Sequence, residues 1–133
     1  MPDTISIEES FEHSLHNFLQ WLEVVTMEPV QLCNAWGNYN VAWELVSDLN
    51  SDGNAIVTFP CSYLTEEQKQ DVLSFLVRLS NIPDTLLVSA TSISANVEAM
   101  SHPFWVPFRA SASSLLQVLE SSAAKNRKYF SSL

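Results

Sequence analysis

Only two of the 133 residues are glycine, Gly37 and Gly53. Folds rich in β-structure need glycine for tight hairpin turns and bulges, so this scarcity favours helices. It also bears on nucleotide binding, because dinucleotide and phosphate-binding loops need several glycines within a few residues. The sequence therefore predicts a mainly helical chain without a glycine-built phosphate site.

Apolar residues recur at intervals of three and four along most of the chain, which is the spacing of one helix face. Capping-box patterns begin two of these stretches, at Ser6–Glu9 and Thr65–Gln68. The pattern predicts helices over 7–26, 30–49 with an interruption near residue 37, 65–81, 92–100, from Pro107 through 119, and 121–133. We expect residues 131–133 to fray.

The stretch Gln31–Leu49 contains two of the four tryptophans. Each tryptophan can bury roughly 150–250 Å², so we expect about five helices around a core built on Trp21, Trp36, Trp43 and Leu76. The polar interruption from Gly37 to Asn40 has two interpretations. It is either a turn in which Asn38 or Asn40 caps the following helix, or part of a pocket beside the tryptophans.

Two short segments are typical of strands. Ala55–Phe59 is rich in β-branched and aromatic residues and follows a predicted loop over 50–54. Thr85–Val88 is either a second strand or the beginning of the helix that reaches Met100. These segments add a minimal two-stranded β element to the helical fold; the alternative is a small α+β domain centred on a strand–helix–strand unit over 55–88.

The length fits a single globular domain spanning 1–133. No apolar run approaches the roughly 18 residues that a membrane span needs. The first residues lack the basic and apolar regions of a signal peptide, so we expect a cytoplasmic protein. Cys33 and Cys61 fit that compartment as reduced thiols.

The formal net charge is −9, and it is unevenly distributed. Before Arg78 there are twelve acidic residues and one base, Lys69; from Arg78 onward there are three acids and five bases. Nucleic acids and anionic membranes would repel the larger part of such a chain. The asymmetry favours a basic protein partner, although solubility alone also explains it.

The predicted partner-binding surface consists of acidic residues on the helices of 7–26, 41–52 and 66–71. Its members are Glu8, Glu9, Glu12, Glu44, Asp48, Asp52, Glu66 and Glu67. We expect such a surface to steer a basic partner towards the chain before apolar anchors are buried.

Two patterns are weak candidates for a metal site. Asp48, Asn50 and Asp52 precede Gly53 with the spacing of the first half of a calcium loop, but Phe59 stands where a closing glutamate is needed. His13 and His16 lie three residues apart on the first predicted helix, with Glu9 and Glu12 one turn before them. Each pattern is also typical of ordinary helix or loop surface, so we assign no metal and no cofactor.

A nucleophile and base can be assembled only from Cys33 or Cys61 with His102, and nothing in the local sequence activates either thiol. We therefore assign no catalytic residue. A small-molecule pocket would use the aromatic, amide and guanidinium groups in the second predicted helix and around the beginning of the helix at Pro107: Trp36, Asn38, Asn40, Trp105 and Arg109.

Three classes of function follow. The first is a non-enzymatic module that covers a basic partner protein. In size, acidity and lack of a catalytic motif, the chain is similar to the small cytoplasmic immunity proteins that neutralise bacterial toxins; this likeness assigns no residues. The second class is an enzyme or small-ligand-binding protein that uses the pocket, and the third is a structural or homo-oligomerising module.

Overall fold

The computed structural model describes residues 7–36, 40–58, 64–87 and 92–133, without the side chains of residues 7, 8, 35 and 36. These ranges are mainly helical, as predicted, and contain no strand. They form seven α-helices and one 3₁₀ helix: α1 (Ile7–Val25), α2 (Pro29–Trp36), α3 (Val41–Thr58), α4 (Glu66–Leu79), the 3₁₀ helix (Asp84–Leu87), α5 (Ile93–Met100), α6 (Trp105–Val118) and α7 (Glu120–Ser131).

The helix beginnings follow the capping residues of the sequence. Thr65 and Gln68 form the predicted capping box, in which each side chain accepts from the backbone N–H of the other. Asn40 caps α3, because its Oδ1 accepts from Trp43 N at 3.1 Å. Ser92 caps α5 in the same way. The predicted cap at Ser6 lies outside the described residues.

The predicted loop over 50–54 and the strand predicted after it are wrong as far as the structure describes them. Helix α3 continues through both and ends at Thr58, while Phe59 lies outside the described residues. The physical reason is that the buried positions of α3 keep their helical spacing through this stretch, at Leu45, Leu49, Gly53 and Ile56. That spacing outweighs the β-branched composition of the segment.

The second predicted strand is also absent. Residues 85–87 belong to the 3₁₀ helix, where Leu86 N donates to Pro83 O at 3.0 Å and the Leu86 side chain is buried. Val88 lies outside the described residues. The α+β alternative required strands on both sides of α4, so the described residues do not support it.

Helix α1 lies at the centre of the packing, in contact with α3, α6 and α7. Its predicted apolar stripe is fully buried from the second turn onward, at Phe11, Leu15, Phe18, Leu22 and Val25. Helix α4 packs against α3 and α6, and α5 packs against α2 and α3. The core therefore lies between α1 and the helices that surround it.

Tryptophan contributes to this core, but not at all of the predicted positions. Leu76 is buried and Trp21 is partly buried against the core. Trp43 is half exposed (50%), because it lies about 200° around α3 from the buried Leu45. The Trp36 side chain is outside the described set. Trp105, which was predicted to line a pocket, is instead completely buried.

Candidate partner-binding surface

Three carboxylates follow one another along α3 at intervals of four residues. These three residues, Glu44, Asp48 and Asp52, are called the acid row. Residues four apart lie one above the other on a helix, so the row forms a single line beside the buried face of α3. All three are half-buried, and in the described parts of the chain none of them forms an ion pair.

The electrostatics of the acid row are unfavourable for the isolated chain. Burial raises the pKa of Asp48 above its ordinary value. The pKa of Asp52 is also raised, mainly by burial and further by the negative charge of Asp48. Like charges one turn apart repel each other, and partial burial weakens the screening by water. The row therefore favours a cation that the described residues do not supply.

Other predicted members of the surface lie on α1 and α4, which both pack against α3. Glu9 is exposed on α1, and Glu66 and Glu67 are exposed in the first turn of α4. Glu66 Oε1 lies 3.7 Å from Lys69 Nζ, a long and exposed contact that adds little stability. The side chain of Glu8 lies outside the described set.

Glu12 is a correction to the predicted surface. It is only 2% exposed, and its carboxylate Oε1 accepts from Asn126 Nδ2 of α7 at 2.8 Å. The same amide donates to the Glu12 backbone oxygen at 2.9 Å. A carboxylate held in this way faces the interior between α1 and α7, so Glu12 cannot belong to an exposed docking surface.

An exposed tryptophan lies on the same helix as the acid row, about 100° around the axis from Glu44. Trp43 directly precedes Glu44 in α3, and half of its surface is accessible to solvent. The backbone at this point is fixed from two sides, because Asn40 Nδ2 also donates to Leu87 O at 3.2 Å and Asn96 Oδ1 accepts from Val41 N at 3.1 Å. The beginning of α3 therefore presents a large aromatic side chain on a well-anchored turn.

The predicted small-molecule pocket does not assemble from its described members. Asn40 is used as the cap of α3. Trp105 is buried in the core, where its Nε1 has no hydrogen-bond partner among the described residues. Arg109 Nη2 donates to Met100 O at 2.6 Å, which satisfies a carbonyl at the end of α5. The side chain of Trp36 and the whole of Asn38 lie outside the described residues.

The weak calcium candidate does not have the geometry of a loop. Asp48, Asn50 and Asp52 lie within α3, where residues two apart point about 200° away from each other. Gly53 is buried in the middle of the helix and forms no turn. The three oxygens therefore cannot converge on one ion.

The histidine candidate lies at the contact between α1 and α7. The rings of His13 and His16 both pack on Phe130, with centroid separations of 5.1 and 5.0 Å. In the described residues, no three His, Cys, Asp or Glu side chains are grouped so that they could hold a metal ion. The two histidines thus help to attach the last helix to the first.

The candidate nucleophile and base have separate structural settings. Cys33 is a buried free thiol on α2, and burial raises its pKa. His102 Nδ1 accepts from Phe104 N at 3.0 Å and so shapes the turn before α6. This helix begins at Trp105, two residues earlier than predicted, and Pro107 lies in its first turn, where no backbone N–H is needed. Cys61 lies outside the described residues.

Comparison with known proteins finds no matching family model, no similar curated protein and no similar solved structure. Among the described helices, none has the length and apolar character needed to cross a membrane. We therefore infer the function from the chain's own residues.

Proposed function

We propose that this chain is a non-enzymatic protein-binding module whose acidic surface covers a basic surface of a partner protein. The observation that carries the proposal is the acid row on α3. Glu44, Asp48 and Asp52 stand in line, half-buried, with no described cation to neutralise them. A lysine- or arginine-rich partner would supply the missing counter-charge.

The energetics of the acid row support a basic partner. Each like-charge contact at a spacing of four residues destabilises a helix by roughly 0.2–0.5 kcal/mol. Burial adds a desolvation cost, which is expressed in the raised pKa values of Asp48 and Asp52. A partner's cations would offset the like-charge repulsion on binding, and close pairing with these cations would compensate the desolvation of the covered carboxylates.

Trp43 gives the proposed surface an apolar anchor. Tryptophan is enriched among the residues that dominate binding energy at protein interfaces. The exposed position of Trp43 on the same helix as the acid row fits a two-stage association, in which long-range attraction steers the partner and the aromatic ring is then buried. The remaining exposed acids, Glu9, Glu66 and Glu67, would contribute mainly to steering.

The mode of action that we propose is inhibition by occlusion. An acidic module that covers a basic, functionally required surface prevents that surface from reaching its own target. This is the role of the small immunity proteins that the chain resembles in size and acidity. The proposal needs no chemistry from the module itself.

The test compares two variants with equal changes in net charge. In the first, E44Q/D48N/D52N, the acid row is neutralised; in the second, E23Q/E28Q/E98Q, three exposed acids outside α3 are neutralised. Each variant and the wild type are used for affinity capture from source cells at low salt. The partner is then purified, and its dissociation constant is measured by calorimetry over a salt series.

We expect to capture a basic partner that binds the wild type and the second variant but not the acid-row variant. The affinity of this partner for the wild type should fall steeply as the salt concentration rises. Equal weakening in both variants would show that net charge alone attracts the partner. A partner that binds all three proteins equally, or an acidic one, would contradict the proposal.

A further inference from the structure

Helices α4 and α6 form a second surface, on which a groove runs between them. The two helices are antiparallel: Gln68 Nε2 near the beginning of α4 donates to Val118 O at the end of α6, and Arg78 Nη1 at the end of α4 donates to Ser111 Oγ. The groove has a volume of about 350 Å³. Its floor consists of Phe75 and Leu115, and small side chains of α6 form one wall.

The α6 side of this groove is poor in charge. Helix α6 contains no aspartate or glutamate, although the formal net charge is −9. Its one charged residue, Arg109, is used to bind Met100 O. Val77 and Val118 are 63% and 41% exposed on the two helices. Depletion of charge and exposure of apolar groups are typical of the centre of a protein–protein interface.

Two opposite charges on α4 border the groove without meeting. Asp71 and Arg78 both line it, but they are two helical turns apart, about 10.5 Å along the axis. Within the described ranges of the chain, neither forms an ion pair. A second copy of α4 that runs in the opposite direction would place Asp71 of each chain opposite Arg78 of the other. Such a self-complementary arrangement is what a two-fold interface requires.

We propose that the α4–α6 face is a homodimer interface, in which the α4 helices of two copies lie antiparallel about a two-fold axis near Ser74. The small serine lets the helix backbones approach closely, and the two Asp71–Arg78 pairs fix the register. The face consists of only two helices of 14 residues each, so the interface is small. The dimer is therefore weak and its population depends on protein concentration. It shares no residue with the acid row.

Analytical ultracentrifugation of the full chain, up to several hundred micromolar, tests this interface with paired charge reversals. We expect the wild type to dimerise. D71R and R78D should each raise the dimer dissociation constant at least about ten-fold, because each creates two repulsive contacts per dimer. The double variant D71R/R78D restores self-association. A mixture of the two single variants forms heterodimers, because its contacts are complementary again.

Matched reversals of exposed residues on other helices, E98R and K128D, leave the dissociation constant unchanged. Circular dichroism establishes that every variant is folded. A wild type that stays monomeric over the whole range would overturn the proposal, as would a dimer that D71R and R78D leave intact or a mixture that does not associate. The acid-row variant dimerises like the wild type, so this test and that of the proposed function fail separately.

Discussion

Asn126 Nδ2 donates to the Glu12 carboxylate at 2.8 Å and to the Glu12 backbone oxygen at 2.9 Å, joining residues 114 positions apart. Each residue is only 2% exposed. A buried carboxylate without a hydrogen-bond donor is costly, so this amide is what allows an acidic residue between α1 and α7. The contact fastens the last helix to the central one.

Removal of the amide should therefore destabilise the fold. We expect Asn126→Ala to lower the free energy of unfolding by about 1–3 kcal/mol, because it leaves the Glu12 carboxylate buried without its donor. Chemical denaturation measures the change. Glu23→Gln, an exposed substitution on α1, the helix that carries Glu12, should stay within about 0.5 kcal/mol of the wild type. A loss after Asn126→Ala no larger than that of this control would contradict the structural role.

The sequence was sufficient for most of the helices because their periodicity and caps are local. The stripe of α1, the capping box of α4 and the cap at Ser92 all depend on residues within one or two turns. The error in α3 arose where two local signals disagreed. The β-branched residues near Ile56 favoured a strand, whereas the helical spacing of the buried Leu49, Gly53 and Ile56 favoured a helix and decided the outcome.

The candidate surface was only partly predictable for the same reason. Helical spacing alone places Glu44, Asp48 and Asp52 in line. The burial of Glu12 depends on an asparagine 114 residues away, and nothing in the polar sequence around Asn126 indicates that contact. The exposure of Trp43 follows from its position relative to Leu45, once the core face of α3 is known.

Gly53 lets three helices approach closely. A Cβ at this position would lie 2.9 Å from Leu76 Cδ1 and 3.0 Å from Phe18 Cε1. Alanine normally stabilises a helix by up to about 1 kcal/mol relative to glycine, but overpacking of a core costs about 1–3 kcal/mol. We expect Gly53→Ala to be destabilising by about 1 kcal/mol net, as measured by thermal or urea denaturation.

Two variants separate overpacking from other effects at Gly53. Ser51→Ala, an exposed change on the same helix, should be nearly neutral. Gly53→Ala combined with Leu76→Val should lose less stability than the sum of the single changes, because the smaller side chain makes room for the methyl group. Simple additivity would show that Leu76 does not limit this packing.

Asp52 should limit stability near neutral pH. Its raised pKa means that the folded protein binds this proton more tightly than the unfolded chain, so the carboxylate's ionisation is destabilising. The cost is fully present above the folded-state pKa and disappears below the unfolded value of about 3.9. We expect Asp52→Asn to stabilise the protein at pH 7 by roughly 0.2–0.5 kcal/mol, since Asp and Asn have similar helix propensities.

The difference between Asp52→Asn and the wild type should shrink as the pH falls and vanish near pH 3. Urea denaturation over this pH range measures it. Glu98→Gln, an exposed change without an acidic partner one turn away, should show no such trend. A gain from Asp52→Asn that is independent of pH would mean that its charge is not the cause.

The thiol of Cys33 should be unreactive in the folded protein. Burial raises its pKa and so reduces the thiolate that reacts with disulfide reagents. We expect a Cys61→Ala variant, in which Cys33 is the remaining thiol, to react with Ellman's reagent only as fast as α2 opens, and at once in denaturant.

A variant that also carries Ser51→Cys, with its thiol on the exposed side of α3, should show one fast and one slow thiol. Fast reaction of Cys33 under native conditions would mean that α2 does not protect it, and the case for a purely structural thiol would fail.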